Sequence, residues 1–73
     1  MKFLDSDERY YRKARKRLGR LPLPQVQDWG SSTLWGIQEA LEQAPDRAAL
    51  ATARQGTAAL LAVIDTLLDN DIG

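Results

Sequence analysis

Seven cationic side chains fall within the twelve residues RYYRKARKRLGR, Arg9 to Arg20, with two tyrosines and no acid among them. Guanidinium and ammonium groups at this density can neutralise a row of phosphates, and aromatic faces such as Tyr10 and Tyr11 can stack on bases. The same cations can pair with carboxylates on a protein surface. Catalytic chemistry is far more thinly supplied. The chain has no histidine and no cysteine, so a hydroxyl nucleophile lacks its usual base. Lys13 and Lys16 lie in the cationic run, where a neighbouring charge can depress an amine's pKa, but such a run ordinarily forms a solvated face. Asp65 and Asp69 stand one helical turn apart, and the pattern around them puts them on a solvent side, without the cleft that tunes a general acid or base.

No GxGxxG or GxxxxGKS/T stretch occurs, so no phosphate-cradling loop is visible. The tail DNDIG, Asp69 to Gly73, shares only the opening of a calcium loop. It lacks the third acidic position and the distal glutamate, and reads as a polar terminus. With carboxylates as the only side-chain metal ligands, any metal site would be a weak calcium or magnesium one. The expectation is a protein that is not an enzyme and that carries no metal or cofactor.

The cationic run sits in a chain of formal net charge zero. Residues 1–23 carry eight positive and three negative charges, net +5, and residues 24–73 carry two positive and seven negative, net −5. The molecule is therefore strongly dipolar. Four readings of the run compete. The cations can be neutralised internally, if the first helix lies across Asp28, Glu39 and Glu42. They can grip nucleic acid, although a sequence pI of about 6.1 is low for a dedicated binder. They can lie on a membrane surface, for which Leu4, Tyr11, Ala14 and Leu18 make only a thin apolar face. Or they can dock on another protein.

The elements that must hold these groups are helical. Ala, Glu, Lys, Leu and Arg supply 34 of the 73 residues. Over 5–19, acids lead and bases follow, as the helix dipole favours, with Asp5 and Glu8 spaced as a capping box and Gly19 as a stop. Leu4, Tyr11, Ala14 and Leu18 fall on one stripe of this helix and Tyr10 at its border. RLPLP, residues 20–24, is a linker stiffened by Pro22 and Pro24. Val26, Trp29, Gly30, Thr33, Ile37, Ala40, Leu41 and Ala44 recur with helical period and predict a helix over 24–43, although Gly30, Gly36 and the SST at 31–33 also allow a later start. Pro45 breaks the chain, and a third helix follows over 46–69 with a heptad seam of Leu50, Ala53, Thr57, Leu60, Ile64 and Leu67. The short turn makes the two an antiparallel hairpin, in which Thr33 lies near Thr57, Trp29 near Leu60 and Leu61, and Val26 near Ile64. The fold class is all-α: one small domain, 1–73, built on this hairpin with a basic N-terminal helix. A chain of this size buries only about 60% of its unfolded surface.

Two features exceed what a hairpin needs. Trp35 lies opposite the core stripe of its helix. Either the first helix covers it, through Tyr10, Tyr11 or Leu18, or it stands free as a binding hot spot. TAALLAVI, Thr57 to Ile64, is apolar around the whole circumference, so Ala59, Ala62 and Val63 need a cover beyond the hairpin seam. That cover is the first helix or a second copy of the chain in a homodimer. The helix after Pro45 is a poor DNA-reading helix, with only Arg47 and Arg54.

The functional expectation is a non-catalytic protein-interaction module: a small adaptor, regulator or inhibitor. Its partner-binding residues would be Arg9, Tyr10, Arg12, Lys13, Lys16, Arg17, Arg20 and Trp35, and its self-association residues Ala59, Ala62 and Val63. The alternative is a nucleic-acid-binding protein using the Arg/Lys-rich helix 9–20. The absence of cysteine and of an apolar leader in MKFLDSDERYY fits a cytoplasmic protein. No charge-free stretch is long enough to span a membrane, Gln55 to Ile64 having ten residues. The high ratio of arginine to lysine, with much alanine, hints at a bacterial or phage source.

Overall fold

A computed structural model describes residues 5–70 of the chain. It contains three helices: α1 (Asp5–Leu18), α2 (Leu23–Glu42) and α3 (Arg47–Asn70). The all-α expectation holds, with every helix boundary within about a residue of its predicted place. α2 and α3 form the hairpin, and α1 packs chiefly along α3. As α1 advances from Asp7 to Arg15, its partners on α3 advance from Arg54 to Asp69, so these two helices run parallel.

Local chemistry explains the breaks. α1 ends at Leu18, and Leu21 N–H donates back to the Leu18 carbonyl at 3.1 Å as the chain turns. Pro24 lies in the first turn of α2, where a missing N–H costs nothing. α2 runs unbroken through Ser31, Ser32 and both glycines, so the later start does not occur. At the hairpin turn, Asp46 opens α3. Its carboxylate accepts from the Ala48 and Ala49 N–H groups at 2.9 and 3.3 Å, an N-cap.

The core sits where all three helices meet. Ala14 and Leu18 of α1, Val26 of α2, and Ala62 and Val63 of α3 are buried together, with Tyr11, Leu21, Trp29, Ala59 and Leu67 packed around them. Toward the turn, α2 and α3 approach closely through glycine. A β-carbon added at Gly30 would lie 2.9 Å from a methyl of Val63, and one at Gly56 would lie 2.8 Å from Ile37. The close approach explains why a poor helix former stands mid-helix: any side chain at Gly30 would have to displace Val63.

The predicted seam on α3 needs correction. Its buried residues are Ala53, Ala58, Ala62, Val63 and Thr66, whereas Leu50 and Ile64 of the predicted seam are exposed. α3 has neighbours on two sides, so its buried arc is wide and is centred away from the simple hairpin stripe. The facing pairs shift with it. Thr33 lies near Gly56, and Val26 joins Ala62 and Val63 rather than Ile64. Leu4, part of the predicted α1 stripe, lies outside the described residues, as do Asp71 to Gly73 of the DNDIG tail.

Candidate binding surfaces

α1 is docked by a polar row as well as by Ala14 and Leu18. Asp7, almost fully buried, accepts from the Arg54 guanidinium through Nη2 at 2.9 Å and Nε at 3.1 Å. Tyr11 donates a short hydrogen bond to Asp65. Arg15 donates to the Thr66 hydroxyl at 3.1 Å and pairs with Asp69. The Asp65 bond, with burial and the carboxylate's charge behind it, raises the Tyr11 phenol above its ordinary value. Asp69 likewise favours the charged form of Arg15. Asp65, expected on a solvent side, is therefore partly covered by α1, whereas Asp69 stays exposed as expected while pairing with Arg15.

The internal-neutralisation reading is corrected in the same stroke. α1 does not lie across the acidic face of α2. Among the described residues, no ion pair joins it to Asp28, Glu39 or Glu42. The intervals 7, 11 and 15 put Asp7, Tyr11 and Arg15 on one face of α1. That face is turned to α3 because Ala58 and Ala62 leave room for close approach.

The other cations of α1 are turned outward. Arg12 pairs with Glu8 of its own helix at 2.8 Å. Among the described residues, Arg9, Lys13, Lys16 and Arg17 of α1, and Arg20 just after it, have no ion pair. Lys13, Lys16, Arg17 and Arg20 gather around a groove of about 440 Å³ between α1 and the hairpin. Its floor is Ala14 and Ala59, and its aromatic walls are Tyr10 and Trp29. Trp29 was expected in the core. It is instead half-buried, one side on the core cluster and the other on the groove. Its place in a binding surface was missed because helical phase puts it at the edge of the stripe, and only the position of α1 turns that edge into a wall.

Trp35 is bare, at 62% exposure. With α1 on α3, none of the described residues folds over the outer face of α2. Asp28, Ser32, Trp35, Glu39 and Glu42 recur there at intervals of four and three, a tryptophan inside an acidic stripe. Of the self-association candidates, Ala62 and Val63 are buried within the chain's own core and Ala59 is partly buried. The cover for Ala62 and Val63 comes from within the chain, so these two do not offer a surface to a second copy, and Ala59 is left only at the floor of the groove.

No family model matches the chain, and neither the curated proteins nor the solved structures yield a match. Among the described residues, no helix is long and apolar enough to cross a membrane.

Proposed function

We propose that this chain is a non-catalytic protein-interaction module that docks a larger protein on the outer face of α2. The observation that carries the reading is the bare Trp35 at the centre of the acidic stripe. A tryptophan left in water gives up a large burial term unless a partner covers it, and such residues anchor interfaces out of proportion to their number. Asp28, Glu39 and Glu42, which have no ion pair among the described residues, would form the rim. The fitting partner presents an apolar pocket bordered by lysine or arginine, and its charge would speed encounter more than it tightens the complex. The test is a photo-reactive residue at Gln38, beside Trp35, in cells of the source organism. One dominant protein adduct that disappears with Trp35→Ala is expected. No protein adduct, or one indifferent to Trp35→Ala, contradicts the reading.

The groove beside α1 favours a second reading, nucleic-acid binding. Four cations with no ion pair among the described residues, and two aromatic walls, suit a single strand, with phosphates on the cations and a base between the rings. Anisotropy with a labelled single strand at about 50 and 200 mM salt tests it. Affinity that collapses at the higher salt, and that Trp29→Leu weakens at both, would support it. No binding at the lower salt removes it.

A further inference from the structure

Large aliphatic side chains stand in water along the back of α3, opposite the buried arc. Leu50, Leu61, Ile64 and Leu68 are all exposed. With Arg54 and Thr57 they fall at 50, 54, 57, 61, 64 and 68, intervals of four, three, four, three and four. This is an unbroken heptad stripe, the spacing of a coiled-coil seam. The two polar members do not spoil it. Arg54 is drawn aside and neutralised by Asp7, and the Thr57 hydroxyl already donates to the Ala53 carbonyl at 2.8 Å. Leu23 of α2 borders the stripe, and a depression of about 340 Å³ opens beside Ile64 and Leu68.

We infer that this stripe pairs antiparallel with the same stripe of a second copy. The order of charge along α3 bears on the direction, but Arg54, Asp65 and Asp69 are already engaged by Asp7, Tyr11 and Arg15 of α1, so the helix dipole carries more of it than the side chains do. The only charged residues of α3 are Arg47 and Arg54 in the N-terminal half and Asp65 and Asp69 in the C-terminal half. Antiparallel pairing sets each basic half beside the other copy's acidic half and opposes the two helix dipoles. Parallel pairing would stack like on like. With the two-fold axis near Ala59, Leu50 of one copy meets Leu68 of the other, and Thr57 meets Leu61. Leu50 then enters the depression beside Ile64 and Leu68, a knob in a hole. The stripe is about 27 Å long from the helical rise, and Leu23 of α2 borders one end of it. One helix diameter wide, it covers roughly 300 Å², less than the ~800 Å² per partner of a standard interface, so the expected pair is a weak one. The surface is distinct from the acidic face around Trp35, so this inference stands apart from the partner proposed there.

The chain has no cysteine, which makes a cross-linking test clean. Leu50→Cys and Leu68→Cys, both at exposed positions, are mixed and oxidised. The expected product is the mixed disulfide between them, with little disulfide when either variant is oxidised alone, because like positions lie about 27 Å apart in the antiparallel pair. Sedimentation of the wild type should give twice the 8.2 kDa chain mass. Leu61→Glu should raise the concentration at half-dimerisation at least about tenfold while circular dichroism shows the helices intact. Efficient disulfides within each single variant, a wild type of chain mass at millimolar concentration, or a dimer indifferent to Leu61→Glu would overturn the inference.

Discussion

α3 has two neighbours, held by different physics. Against α2 the contact is apolar and close, with Gly30 on Val63 and Gly56 on Ile37. Against α1 it is a small apolar patch, Ala14 and Leu18, extended by the links Asp7–Arg54, Tyr11–Asp65 and Arg15–Asp69. The hairpin closes by volume, while α1 is aligned by charge and hydrogen bonds. Exposed ion pairs contribute only about 0–1 kcal/mol each, so the polar row fixes the register and rotation of α1 more than it holds the helix down. That rotation decides which side chains stay on the surface. It consumes Arg15 in docking and leaves Lys13, Lys16, Arg17 and Arg20 around the groove. It also leaves Trp35 uncovered.

The largest expected effect breaks the point both contacts share. Leu18 is fully buried, and Leu18→Ala should destabilise by about 3 kcal/mol in urea unfolding. Gly30→Ala attacks the close contact alone. The added methyl must displace the stiff Val63 side chain, and after the gain in helix propensity a net loss of about 1 kcal/mol is expected. Gly36 has nothing within 4 Å of an added β-carbon, so Gly36→Ala should stabilise by about 0.5–1 kcal/mol. The opposite signs of two glycine substitutions in one helix isolate packing from propensity.

On the α1 side, Arg54→Ala leaves the buried Asp7 carboxylate unpaired. Because Arg54 is itself half-exposed, the loss should be about 1 kcal/mol rather than the full cost of a buried pair. Salt should weaken this contact and spare the glycine one. Tyr11 gives the smallest and most specific effect. Its phenol holds its proton more tightly when folded, chiefly through the bond to Asp65. The linked stability is therefore fully present below the unfolded tyrosine pKa, near 10, and is lost as pH rises through the raised folded value. Thermal melts of Tyr11→Phe should decline less steeply above about pH 10 than those of the wild type.

Much of the fold is legible in the sequence because helix boundaries depend on local chemistry. Pro22, Pro24, Pro45 and Asp46 mark the breaks, and apolar periodicity marks the spans. The rotation of α3 is not legible in the same way. Leu50, Ile64 and Leu67 make as good a heptad as Leu50, Leu61 and Leu68, and only the presence of a second neighbour selects which stripe is buried. The docking face of α1 did leave a signal. Tyr11 and Arg15 are four apart, as are the two acids Asp65 and Asp69 that receive them, and matching those intervals would have turned α1 toward α3. Of the candidate site, the cations and Trp35 were legible from composition and phase. Trp29 was not, because a groove wall exists only once two helices are placed.

The position of α1 carries everything said about the surfaces, and the two tryptophans report it directly. Acrylamide quenching of the single-tryptophan variants Trp29→Phe and Trp35→Phe compares them in the folded protein. If α1 lies on α3, Trp35 alone should quench nearly as readily as free tryptophan, and Trp29 alone should be markedly protected by the core cluster and the groove. A protected Trp35 beside an accessible Trp29 would mean that α1 lies across the outer face of α2, and the proposed interface would lose its anchor.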